Sequence, residues 1–174
     1  VFGFELTRKL ISRSPWAPYV KGASGKQWLE PLEDLINWKL AGAELALSTA
    51  ARFGRAADCY FLPGVAFSMI GASFSARAHA YPSIIGDKGS SVYPPSQAQM
   101  VCAMNSLQSR SILQSLNPSI SFQVGDVNRL PLIPVEHAEK IFNTLKNCFL
   151  VHECHREASV EFLCPGPSSW RHAQ

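Results

Sequence analysis

Long apolar runs are missing from this 174-residue chain. No stretch reaches the roughly 18 apolar residues of a membrane-spanning helix, and the first residues lack the pattern of a secretory leader. Charge is sparse: 17% of residues are Asp, Glu, Lys or Arg, and they balance to +3. That permits a polyanionic partner without demanding one. The five cysteines (Cys59, Cys102, Cys148, Cys154 and Cys164) are an odd and irregularly spaced set, which excludes a disulfide framework and favours a reducing cytoplasm. Gly-x-Gly-x-x-Gly turns, Walker loops and Gly-x-Ser-x-Gly elbows are all absent, and with them the usual nucleotide and hydrolase sites. Gly86-Asp87-Lys88-Gly89-Ser90-Ser91 resembles a phosphate loop only superficially, because the upstream glycine is missing and a strand follows where a helix is needed.

Apolar residues make up 47% of the chain, enough at this length to bury roughly 70% of the unfolded surface without staples. The chain opens on Val1 instead of Met, which reads as a piece of a longer protein. One cluster looks metal-like: His152 and His155 lie one helical turn apart, and Cys148 lies one turn before His152. The competing reading is a pair of surface histidines near a helix end, since no second ligand pair with finger-like spacing exists, and no metal site is expected. The carboxylates are scattered; Glu30, Glu33 and Asp34 form the densest group and suit a solvated loop.

Hydrophobic periodicity predicts an α+β (mixed α/β) fold of short strands with interleaved helices and long helices towards the C-terminus. Residues 1–6, 34–38, 65–70, 73–78, 83–86, 90–93 and 119–124 read as strands. Residues 14–19 and 21–26 read as loop, because Pro and Gly punctuate both. Helices are expected over 40–52 with Gly54 as a stop, over 96–116 with Ser96 as N-cap, and over 136–157 with Ile141, Leu145 and Phe149 on one side. The expected organisation is a compact unit over 1–134, a helix over 135–158 packing on it or on another domain, and a tail over 159–174.

Several segments resist explanation as generic core. Trp16-Ala17-Pro18-Tyr19-Val20-Lys21-Gly22, Lys26-Gln27-Trp28 and Leu35-Ile36-Asn37-Trp38 with Gly42 resemble a block in BREX-type (PglX-like) DNA adenine methyltransferases. Tyr60-Phe61-Leu62-Pro63-Gly64-Val65-Ala66-Phe67-Ser68, Phe74-Ser75-Ala76-Arg77 and Lys88-Gly89-Ser90-Ser91-Val92-Tyr93-Pro94 continue in family order, as do Asn117-Pro118-Ser119-Ile120-Ser121-Phe122-Gln123-Val124-Gly125-Asp126 and Leu130-Pro131. Arg156-Glu157-Ala158-Ser159-Val160-Glu161-Phe162 looks like a decayed form of a final element. Departures occur at Ala23, where the family has a second glycine, at Leu40-Ala41 before Gly42, and at Val160, where it has tryptophan.

The resemblance implies a target-recognition domain, related in architecture to type I restriction specificity subunits. The S-adenosylmethionine site and the Asn-Pro-Pro-Tyr catalytic motif of such proteins lie upstream, so this fragment is expected to be no enzyme and to hold no cofactor itself. Its expected partners are double-stranded DNA and the methyltransferase domain of the same parent. Base reading needs donors and acceptors in the major groove, and register needs phosphate clamps. The residues expected to supply them are Lys21, Lys26, Arg77, Lys88 and Arg129, with Asn37, Ser90 and Ser91 as lighter polar contacts. For Arg77 an internal ion pair competes, and Gly89 and Gly125 suit turn geometry better than DNA contact. Two other readings stay open: a module docking a methyltransferase domain without touching DNA, and a small zinc enzyme using His152, His155 and Cys148.

Overall fold

The computed structural model describes residues 15–21, 25–47, 57–71, 73–86 and 89–168, which form an α+β fold. The expected strand over 1–6, the stop at Gly54, the residue Lys88 and the last six residues lie outside this set. Seven short strands are described: β1 (Trp16–Val20), β2 (Trp28–Glu30), β3 (Leu35–Asn37), β4 (Val65–Phe67), β5 (Ala76–His79), β6 (Ile84–Ile85) and β7 (Ser91–Val92). They make a three-stranded sheet in the order β3-β1-β6 and a four-stranded sheet in the order β2-β5-β4-β7. The first pairs β1 with β3 antiparallel and with β6 parallel; in the second, β2 and β5 run parallel and the other neighbours antiparallel.

β1 occupies part of a segment read as loop from its prolines. Tyr19 N–H donates to the Asp34 carbonyl at 2.9 Å, so the hydrogen-bonded rungs against β3 alternate through the odd-numbered residues. Pro18 therefore stands opposite Leu35 on a rung without bonds, and β6 pairs only from Tyr19 onward. The missing N–H is not needed on either side, and proline is tolerated.

Five α-helices are described: α1 (Ala43–Ala46), α2 (Gln97–Met104), α3 (Leu107–Leu116), α4 (Val124–Val127) and α5 (Ala138–His155). Ser96 caps α2 by accepting from Gln99 N–H at 3.1 Å. The helix expected over 96–116 breaks at Asn105 and Ser106. The Asn105 amide turns away to bond both Ala76 N–H and Ala76 C=O, at 3.0 and 2.9 Å, and Ser106 starts α3 by accepting from Ser109 N–H at 3.1 Å. The expected helix over 40–52 is reduced, within the described residues, to a turn at Lys39–Gly42 and the single turn of α1. Leu40 and Ala41 take positive φ there, and Leu40 and Leu47 face solvent. The strand expected over 119–124 is a single bridge, Ile70 opposite Ser121, before α4 begins.

The core lies between the four-stranded sheet and helices α2, α3 and α5. On one face of that sheet Leu29, Val65, Phe67, Ala76 and Ala78 meet Val101, Leu113, Phe142 and Phe149. Burying each of the large side chains contributes about 1.5–3 kcal/mol. Strand alternation then forces Arg77 and His79 to the opposite face, away from the helices.

Candidate nucleic-acid interface

The end of β1 is where separated candidate residues meet. Val20 C=O accepts from Gly86 N–H at 3.0 Å, and Gly89 N–H closes the turn onto Gly86 C=O at 3.0 Å. A Cβ at Gly89 would lie 2.5 Å from the Val20 oxygen, so only glycine allows the turn to press against β1. This packing sets Gly89 beside Lys21. Lys21 Nζ sits 2.7 Å from an Asp34 carboxylate oxygen and 5.9 Å from the centroid of the Tyr19 ring, and the Asp34 hydrogen bond raises its pKa. Lys26 pairs in the same way with Glu33. Both lysines thus carry their own carboxylates.

Arg77 lies elsewhere than expected for a DNA contact: it is fully buried. Its Nε pairs with Glu30, its Nη1 reaches Ser68 Oγ at 3.4 Å and its Nη2 reaches the Lys21 carbonyl at 3.3 Å. Burial is the reason; a central strand covered on both faces has no position from which Arg77 can reach a duplex. Ser90 Oγ donates to the Met69 sulfur at 3.0 Å, and Ser91 Oγ lies 3.0 Å from His79 Nε2. Both serines are half-buried, with their hydroxyls engaged internally. Asn37 stands at the far end of β1 opposite Trp16, where its Oδ1 accepts from Lys39 N–H at 3.1 Å. Arg129 is exposed on the turn after α4. The structure brings Gly89, just before Ser90 and Ser91, and the Arg77 guanidinium onto the Lys21 backbone, whereas Lys26 lies with Glu33 against the C-terminal part of α5.

Glu30, expected in a solvated loop, instead ends β2 half-buried because Arg77 pairs with its carboxylate, and the buried His79 drew no notice in the sequence. Burial pushes the Glu30 carboxyl up, against the opposing attraction of Arg77. Burial also holds the His79 pKa down at about 4, with the Leu62 carbonyl opposing and Arg77 adding to the effect. The signal for both was in β5, whose alternate residues are the small Ala76 and Ala78: a strand with alanine on its helix side packs tightly and leaves its polar side chains to find internal partners.

Charge is unevenly distributed. Nine of the sixteen Lys and Arg and eleven of the thirteen Asp and Glu fall among the described residues, which therefore carry a formal −2. The basic excess belongs to Arg8, Lys9, Arg13, Arg52, Arg55, Lys88 and Arg171, outside that set. At the C-terminal end of α5, the metal-like residues have other employment. His155 Nδ1 donates to Pro167 C=O at 2.8 Å, His152 Nδ1 lies 2.8 Å from Ser168 Oγ, and Cys154 C=O accepts from Leu163 N–H at 2.8 Å. Together they strap residues 163–168 back along the helix, and among the described residues no three His, Cys, Asp or Glu side chains converge on a point.

No protein-family model matches the chain. The chain is similar to adenine-specific methyltransferases. It is 28% identical over 127 residues to the adenine-specific methyltransferase PglX of Lacticaseibacillus casei (strain Zhang), and the match covers 67% of the chain. It is 27% identical over 134 residues to the adenine-specific methyltransferase BrxX of Escherichia coli O9:H4 (strain HS), covering 74% of the chain. In both cases the matched stretch spans 11% of the relative's length. The two likenesses support a relationship to methyltransferases of this kind, the one suggested by the order of the aromatic and glycine motifs. Among the described residues, no helix is long and apolar enough to cross a membrane.

Proposed function

We propose that this chain is the target-recognition part of a DNA adenine N6-methyltransferase of a restriction-modification or phage-defence system. The observation that carries the reading is its likeness to PglX and BrxX over a stretch amounting to 11% of each. A methyltransferase acting on adenine must flip the base from the stack, while a separate element holds and reads the duplex. In this reading the chain is that element. The S-adenosylmethionine site and the catalytic residues belong to another part of the parent, the chain alone transfers no methyl group, and it works on DNA in the cytoplasm. Lys21 and Lys26 are the leading contact residues, the first supported by the packing of Gly86 and Gly89 onto β1 beside it. Lys88 and Arg129 would add phosphate contacts, and Asn37 a lighter polar one.

The test is duplex binding by fluorescence anisotropy between about 50 and 200 mM salt, with the wild type and with Lys21, Lys26 and Lys88 changed together to Ala. Each phosphate contact contributes about −0.9 to the slope of log K against log salt. The wild type is expected to show a steep slope, and the triple variant a slope shallower by about two to three. Equal binding by both proteins at low salt defeats this placement of the surface. A second reading, a module that docks a methyltransferase domain without touching DNA, is favoured by the −2 of the described residues and the acid partners of Lys21 and Lys26. It expects no duplex affinity in the isolated chain and tight association with the catalytic part.

A further inference from the structure

We propose that Arg77, held by its pairing with Glu30, is a positioning residue that fixes the backbone of Lys21 for contact with the duplex; this rests on the recognition reading above. The geometry has three parts. Arg77 is carried by β5 at the middle of the four-stranded sheet, whereas Lys21 immediately follows β1 in the other sheet. The guanidinium bridges them: Nε to Glu30 of β2, Nη1 to Ser68 Oγ and Nη2 to the Lys21 carbonyl at 3.3 Å. On the adjoining peptide, Gly89 presses against the Val20 carbonyl. The backbone of Lys21 is gripped by buried groups, while its ammonium stays at the surface beside Asp34.

A buried ion pair is poorly explained as a source of stability, since desolvating both charges offsets most of their attraction, and apolar replacements of similar volume are often neutral or better. What an apolar pair does not reproduce is direction. The planar fork addresses a carboxylate, a hydroxyl and a carbonyl at fixed angles, which neither a lysine point charge nor a methionine does. With its carbonyl unfastened, Lys21 is less firmly placed, and a duplex has to order it on binding. The role is therefore seen in binding and in local order more than in the unfolding midpoint.

The experiment uses the full 174-residue chain and two variants, the apolar double replacement Arg77→Met with Glu30→Leu, and Arg77→Lys alone, each compared with wild type. Three quantities are read: the thermal midpoint, the rate of tryptic cleavage after Lys21 by mass spectrometry, and duplex affinity with its salt slope. The expected result, in whichever variant keeps a midpoint near wild type, is about tenfold faster cleavage after Lys21, about tenfold weaker duplex binding and a slope shallower by about one. A purely structural contribution would move the midpoint and leave the slope unchanged. Wild-type cleavage and wild-type binding in a folded variant overturn the proposal, as does faster cleavage with binding and slope unaltered. Should the wild type bind no duplex, the recognition reading falls by itself, and cleavage after Lys21 still decides whether Arg77 orders the Lys21 backbone.

Discussion

Lowering the pH from 7 to 5 is expected to weaken this fold, because unfolding lets His79 take up a proton that the folded protein refuses. The side chain is 3% exposed, with Nε2 at 3.0 Å from Ser91 Oγ, Nδ1 at 3.4 Å from the Leu62 carbonyl and the Tyr93 ring edge-on at 6.2 Å. Burial, aided by the positive charge of Arg77, lowers its pKa from 6.5 to about 4. Between those values the unfolded chain binds more protons than the folded one, so the stabilisation is fully present above 6.5 and is lost as the pH falls towards 4. Linkage puts the loss at about 2 kcal/mol by pH 5 and about 3 kcal/mol near pH 4. For a chain of this length, 2 kcal/mol lowers the thermal midpoint by about 4–8 °C.

Other buried groups do not imitate this behaviour. Glu30 is pushed up by burial, so it acts with the opposite sign and gains stability as the pH falls. Burial opposes ionisation of Glu153, but its hydrogen bonds from Arg156 and Ser159 outweigh that and lower its pKa from 4.5, so its contribution is lost only below the pH 7 to 5 range. Thermal unfolding followed by circular dichroism at pH 7, 6 and 5, for wild type and His79→Gln, isolates the effect as the difference between their pH slopes. A wild-type midpoint that does not move between pH 7 and 5, or a His79→Gln variant that loses as much as wild type, refutes the reasoning.

Gly89→Ala places a methyl group 2.5 Å from the Val20 carbonyl oxygen and is expected to cost about 2 kcal/mol or more in urea unfolding; Gly125→Ala in α4, which meets nothing within 4 Å, is expected to be neutral or up to about 1 kcal/mol stabilising. Asn105→Ala strands the buried N–H and C=O of Ala76 and is expected to cost about 2–4 kcal/mol by the same assay; a loss below about 1 kcal/mol means that water or a shifted backbone replaces the amide. Asp34→Asn releases Lys21 from its partner and is expected to raise duplex affinity about two- to fivefold at low salt, with the gain shrinking as salt rises; an unchanged or weakened affinity places Lys21 outside the contact surface.

Local chemistry alone determined much of this protein. Ser96 caps a helix whichever fold surrounds it, because its hydroxyl serves an N–H three residues away. The alternation of Val65 to Phe67 and the apolar spacing of α5 are likewise properties of a few consecutive residues, as is the order of aromatic and glycine motifs that led to the methyltransferase likeness. Tertiary structure decided the rest wherever a residue's partner is distant along the chain. Asn105 breaks a helix to serve Ala76, 29 residues away, and Pro18 enters a strand because its neighbours leave that rung unbonded. Arg77 reads equally as a DNA contact or as half of an internal ion pair until Glu30, 47 residues earlier, takes its guanidinium inside. Lys21 and Lys26 read as positive charge until Asp34 and Glu33 fold back on them. Periodicity reports which face of an element is buried; it is silent about which polar group waits on the other side, because that depends on chain closure and not on neighbouring residues.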